Sequence, residues 1–147
     1  MVIRNLQIGV AADIKVSSPP DMLVMSPVTK RKVLFVDDEE QWRDRVSTSL
    51  SAAGFDVVAA ADGSEAMMQA ADPSLGLMIV DEDLAGESGR MLTWFLRHNH
   101  PGVPTMLYTT AERDADATEN VRSQSADQIL PKGSMEELIV NVGCYLG

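Results

Sequence analysis

Val33-Leu34-Phe35-Val36-Asp37-Asp38-Glu39-Glu40 is the stretch on which the reading of the fold turns. Four consecutive apolar residues fit a short strand covered on both faces, rather than the alternation of a strand with one wet side. The run stops at four acidic residues. Beyond them Trp42, Val46, Leu50 and Ala53 form a stripe at helical spacing. Gly54 closes that helix, because a left-handed cap costs glycine little. The same alternation recurs outward along the chain. Residues 55–60 read as a second strand. Asp62 with Glu65 opens a short helix over 66–71, and Pro73 lies beyond its end. Residues 75–80 form a third strand closed by Asp81. After a loop with two glycines, residues 90–98 read as a helix with Leu92, Phe95 and Leu96 inward. Residues 105–109 are a fourth strand, 112–124 a weakly apolar helix and 128–130 a short fifth strand. Ser134 and Glu137 make a capping box for a last helix, with Leu138, Val142 and Tyr145 or Leu146 inward.

Five strands alternating with five helices predict an α/β fold, a parallel sheet with helices on both faces. Ligands of such folds sit beyond the carboxyl ends of the strands. Chemistry is therefore expected at Asp37, Asp38, Asp81, Thr109 and Lys132, which follow or end four of the strands.

Composition narrows the function. A length of 147 residues suits one domain, and 45% hydrophobic residues argue against a disordered chain. The net charge is −10, and it is uneven: residues 33–147 carry 7 basic and 20 acidic side chains. Such a body is a poor partner for phosphate backbones, so no direct nucleic-acid binding is expected. A single cysteine, Cys144, excludes an intramolecular disulfide framework and a Cys-rich zinc site. No apolar run reaches the length of a membrane span, and residues 8–12 make only a weak leader pattern, so the expected location is cytoplasmic. Residues 1–31, interrupted by Pro19, Pro20 and Pro27, are expected to be a loosely ordered extension of a body spanning 32–147. No output domain is expected.

Three carboxylates from two strands repel one another in a shared pocket. A hard divalent cation resolves that repulsion, since Mg²⁺ takes oxygen ligands and keeps waters that phosphate oxygens can replace. Lys132 is the only lysine in residues 33–147 and stands where a compact ammonium can pair with a carboxylate or a phosphoryl oxygen. Thr109 offers a hydroxyl. A carboxylate nucleophile, a metal, an ammonium and a hydroxyl together suit phosphoryl transfer to aspartate.

With these residues in place, 32–147 resembles the receiver domain of two-component response regulators. The resemblance rests on the stretch 33–39, on Leu77-Met78-Ile79-Val80-Asp81 with Gly89 eight residues on, on Met106-Leu107-Tyr108-Thr109, and on Leu130-Pro131-Lys132. It implies a flavodoxin-like sheet of order 2-1-3-4-5. It implies that Asp81 accepts a phosphoryl group from a sensor histidine kinase or a histidine phosphotransfer protein. Asp38 would ligate Mg²⁺ (or Mn²⁺) directly, Asp37 largely through water, and Asp83 through its backbone carbonyl. Lys132 would bridge to the phosphoryl group and Thr109 would move toward it. The output would be a downstream protein bound by the face of the fourth and fifth helices and the fifth strand. The chain would thus be a signalling phosphoacceptor and not a turnover enzyme.

Four positions depart from the family pattern. Ala85 replaces the usual proline, Glu82 an apolar residue, Gly133 a proline after the lysine, and Ile129 the aromatic switch residue. Glu82 with Asp83 is expected to crowd negative charge near Asp81. Two other readings stand beside the switch: a binding module that never cycles through phosphorylation, favoured by Ile129, and an aspartyl-phosphate-forming phosphatase. For the latter, Asp81-Glu82-Asp83 matches the Asp-x-Asp motif of haloacid-dehalogenase-type enzymes. Those enzymes carry the motif after their first strand, whereas here it follows the third. Taken singly the residues also have plain readings: Asp37 and Asp38 as a solvated helix start, Asp81 as a turn residue, Thr109 as a strand residue, Lys132 as a surface charge and Trp42 as packing.

Overall fold

The structure, a computed structural model, describes residues 31–110 and 126–146. In chain order these form β1 (Lys32–Val36), α1 (Glu40–Ala52), β2 (Asp56–Ala60), α2 (Gly63–Gln69), β3 (Leu75–Asp81), α3 (Gly89–Asn99), β4 (Thr105–Thr109), β5 (Gln128–Pro131) and α4 (Met135–Leu146). Residues 1–30 of the expected extension over 1–31, and the expected helix over 112–124, lie outside the described residues.

The five strands make one parallel sheet in the order β2-β1-β3-β4-β5, as the resemblance implied. Parallel strands covered on both faces explain the continuous apolar runs, because each strand sends alternate side chains to opposite layers. Val33, Phe35, Leu77, Ile79, Met106 and Tyr108 pack with Val46 and Leu50 of α1 and Leu138, Val142 and Leu146 of α4. Leu34, Val36, Met78 and Val80 pack on the other face with Ala66 of α2 and Leu92 and Leu96 of α3. No helix among the described residues is long and apolar enough to cross a membrane.

Helix ends follow local chemistry. The Asp62 side chain accepts from the Glu65 N–H, Ser88 from Met91 and Ser134 from Glu137. Gly54 takes a φ of +97° just beyond α1, the left-handed conformation that glycine adopts without a Cβ penalty. Two stripe residues differ from expectation. Ala53 is the C-cap of α1 and is exposed, because the helix ends before it completes another turn. Phe95 is 47% exposed and packs edge-on against Trp94. Thr93 occupies the inward position instead, its hydroxyl satisfied by the Gly89 carbonyl at 2.7 Å.

The register aligns Asp81 with Tyr108 and Thr109 with Pro131. Backbone bonds continue the ladder past the strand ends, from Asp37 N–H to Ala60 O at 3.0 Å and from Glu82 N–H to Tyr108 O at 2.9 Å. The carboxyl edge of the sheet therefore holds Asp37, Asp81, Thr109 and Lys132 on fixed backbone.

Candidate functional site

At that edge the strands deliver three carboxylates to one place. Asp37, Asp38 and Asp81 each offer an oxygen within 4.8 Å of the others. Asp37 and Asp81 are buried, and Asp38 is half-buried. The Lys132 ammonium lies 3.2 Å from Asp81 Oδ1 and 3.6 Å from Asp37 Oδ2. Backbone N–H groups fix each carboxylate: Glu39 donates to Asp37 Oδ1 at 2.9 Å, Asp83 to Asp81 Oδ1 at 3.1 Å and Ala85 to Asp38 Oδ2 at 3.0 Å. The last of these spans 47 residues of sequence and is a bond that proline at position 85 could not make. An open cavity of about 620 Å³ lies above the cluster, lined by Asp38, Asp81, Asp83, Trp42, Thr110 and Lys132 among others.

The electrostatics follow from burial. Removal from water pushes the Asp37 carboxyl up to about 6, with the Asp81 charge adding to the rise and the Glu39 N–H and Lys132 opposing it. Burial also raises Asp81, and Lys132 opposes that shift. Among the described residues, Asp37 Oδ2 is a buried oxygen without a hydrogen-bond partner. Buried polar atoms are normally satisfied, so a buried carboxylate oxygen with an ion pair at 3.6 Å but no hydrogen bond fits a further cation in the acidic cluster. Oxygen donors of this kind fit a hard divalent ion, Mg²⁺ or Mn²⁺.

Lys132 is also framed by aromatic rings. Its ammonium lies 5.0 Å from the Trp42 ring centre and 5.6 Å from that of Tyr108, and the two rings meet edge-on at 6.1 Å. Cation–π attraction adds to the carboxylate pairing in holding the ammonium in place. Trp42 thus lines the site, where the sequence had suggested packing alone. The signal that pointed to it was position: it falls in the first turn of the helix that starts at the carboxyl edge.

Of the expected site residues, the structure brings together Asp37, Asp38, Asp81, Asp83 and Lys132. Thr109 is next to the cluster but does not line the cavity; its hydroxyl donates to Glu82 Oε1. Glu82 does not crowd the Asp81 carboxylate as expected. Side chains alternate along an extended chain, so residue 82 leaves the sheet on the side opposite residue 81. There it meets Thr109, and Arg90 at 3.8 Å. Ile129, where the family pattern has an aromatic, is half-buried on β5 opposite Leu107.

Comparison with known proteins agrees with this geometry. The family model of the response regulator receiver domain matches residues 33–142. The probable transcriptional regulatory protein TcrX of Mycobacterium tuberculosis is 30% identical over 120 residues, which are 82% of this chain and 50% of that protein. The uncharacterized transcriptional regulatory protein YrkP of Bacillus subtilis is 32% identical over 111 residues, 76% of this chain and 47% of that protein. The chain spans about half the length of these relatives. Among solved structures, chemotaxis protein CheY4 of Vibrio cholerae superposes with a TM-score of 0.71 at 28% identity, covering 78% of this chain and 98% of that one. Response regulator protein TrrA of Thermotoga maritima, solved in complex with Mg²⁺-BeF, gives 0.69 at 25% identity, covering 79% and 99%. With the sheet order, the acidic cluster and the lysine beside it, these matches establish that the chain belongs to the response regulator receiver domain family.

Proposed function

We propose that Asp81 accepts a phosphoryl group from a sensor histidine kinase or a histidine phosphotransfer protein, in a reaction that needs Mg²⁺ or Mn²⁺. The observation that carries this reading is the buried Asp81 carboxylate at the end of β3, in reach of two more carboxylates and 3.2 Å from Lys132. Asp37, Asp38 and Asp81, with the backbone carbonyl of Asp83, would hold the cation. When bound, the cation supplies positive charge to the phosphoryl oxygens and offsets the repulsion among the carboxylates. An Asp81 oxygen forms the new bond to phosphorus as the P–N bond to the donor imidazole breaks, and the imidazole leaves as the neutral ring after settling its proton with solvent. Lys132, already paired with Asp81, follows the new charge and contacts a phosphoryl oxygen. Trp42 and Tyr108 keep the ammonium from swinging into solvent. That TrrA was solved with Mg²⁺-BeF supports a site of this chemistry.

We further propose that the phosphorylated state is read by a downstream protein rather than by nucleic acid, in keeping with the acidic body. The reading surface implied for this includes β5 and α4. The chain would process only its own aspartyl phosphate. The test is incubation with acetyl phosphate and Mg²⁺ followed by intact-mass measurement. One added phosphoryl group is expected on the natural chain and none on Asp81→Asn or in a chelator. The absence of an aromatic at Ile129 favours one rival, a module that binds partners without phosphorylation, and lack of any mass gain would support that rival. Multiple turnover of an aryl phosphate would revive the phosphatase reading.

A further inference from the structure

Thr109 has its hydroxyl engaged away from the cavity. It donates to Glu82 Oε1, and the two residues are 4% and 7% exposed. The other Glu82 oxygen faces Arg90 Nε at 3.8 Å, near the start of α3. Strand register brings the pair together. Asp81 is aligned with Tyr108, so Glu82 and Thr109, one residue further on each chain, emerge on the same side, the layer of α2 and α3. The Glu82 backbone is held too: its N–H donates to Tyr108 O at 2.9 Å, and its carbonyl accepts from Gly89 N–H at 3.3 Å. An apolar residue at position 82 offers nothing for the hydroxyl to bond. A carboxylate there forms a charge-assisted bond, about twice the strength of a neutral one.

We propose that Glu82 is a positioning residue that holds the Thr109 hydroxyl away from Asp81, so that a phosphoryl group on Asp81 gains this donor only by displacing Glu82. The inference rests on the phosphoacceptor reading above. A threonine hydroxyl has one proton to give, so the Glu82 carboxylate and the phosphoryl oxygens compete for it. The competition weakens retention of the phosphoryl group and biases the molecule toward its resting arrangement. Ile129 is consistent with this: a carboxylate under Thr109 gives the resting state its own restraint, without an aromatic to follow the threonine.

The test uses the full chain with Mg²⁺ and beryllofluoride as the phosphoryl mimic. Binding is read from Trp42 emission in a Trp94→Phe background, since Trp42 lines the cavity. Glu82→Leu removes both acceptor and charge, whereas Glu82→Gln removes the charge and leaves an oxygen to accept. Glu82→Leu is expected to tighten binding about five- to twentyfold, the effect of one exchanged charge-assisted hydrogen bond, and Glu82→Gln by clearly less. In a Thr109→Ala background the two substitutions are expected to act equally. If Glu82→Leu fails to fold, Glu82→Met carries the same comparison. Equal effects of the two substitutions with Thr109 present, or no effect of either, would overturn the proposal while leaving the phosphoacceptor reading intact. No response in the natural chain or in any Glu82 variant overturns the phosphoacceptor reading and this inference with it. A response gained only on removing the carboxylate supports both.

Discussion

Helix α3 starts at Gly89 against the backbone at the end of β3. A Cβ built on Gly89 falls 2.0 Å from the Asp81 carbonyl oxygen and 2.7 Å from Glu82 Cα. Both neighbours are main chain, so nothing flexible can give way, and the loop that carries Asp83 and Ala85 must move instead. Gly143, inside α4, is the contrast, because an added Cβ meets nothing within 4 Å. Gly89→Ala is expected to cost roughly 2–4 kcal/mol, the range of a forced backbone shift in a packed region. Gly143→Ala is expected to stabilise by about 0.5–1 kcal/mol through helix propensity and a less free unfolded chain. Urea denaturation of the two variants beside the natural chain measures both, and a neutral Gly89→Ala would mean that the loop is not pinned against β3. Because the same displacement disturbs Asp81, Gly89→Ala should also slow phosphorylation by acetyl phosphate, whereas Gly143→Ala should leave it unchanged.

Among the helices, capping separates those that support the sheet from the one that opens on the site. The Ser134 side chain accepts from the Glu137 N–H at 3.1 Å and sets the start of α4, which then lays Leu138, Val142 and Leu146 on the core. Ser134→Ala is expected to lower stability by about 1 kcal/mol with no change in Mg²⁺ affinity, by thermal denaturation and metal titration. Helix α1 has no side-chain cap: its N-cap is Glu39, not one of the short oxygen-bearing residues that cap well, and the Glu39 N–H is given to Asp37. Its amino end and the site are thus one structure. These starts were legible in sequence because Ser-x-x-Glu and Asp-x-x-Glu state the bond directly, and the strands were legible because two-sided burial makes unbroken apolar runs closed by aspartate. Hydrophobicity alone misplaced Phe95. A helical stripe is wide enough to admit either Phe95 or Thr93, and only the sheet beneath decides which one fits. The Glu82–Thr109 bond and the Trp42 edge of the cavity could not be read locally. The first depends on the register between two strands 27 residues apart in their contacting positions, and the second on where α1 begins relative to the ends of β4 and β5, which bring Tyr108 and Lys132 to Trp42.

For the molecule as a whole, the acidic cluster sets the pH dependence of the metal-free fold. Asp37 holds its proton up to about 6 in the folded chain because it is buried. The unfolded chain releases that proton near 3.8, the ordinary value. Between these two values the folded state binds more protons than the unfolded one, so stability falls as pH rises through that window. Asp81, also raised by burial, acts with the same sign. Asp72 is held low by Lys32 and acts with the opposite sign, but its effect is complete above the ordinary carboxylate range and so lies outside the window. General repulsion in a chain of net charge −10 adds to the fall. In chelator, the urea midpoint is therefore expected to be higher at pH 5 than at pH 7.5. Asp37→Asn separates the local cause from the general one, since it removes the buried charge and leaves the rest of the surface acidic. That variant should show a flatter dependence and exceed the natural chain in stability at pH 7.5. Mg²⁺ should restore the natural chain at pH 7.5 and do little at pH 5, where protons occupy the same oxygens. A midpoint that rises from pH 5 to pH 7.5 in chelator, or an Asp37→Asn curve parallel to that of the natural chain, would place the cost of the site somewhere other than the buried carboxylate.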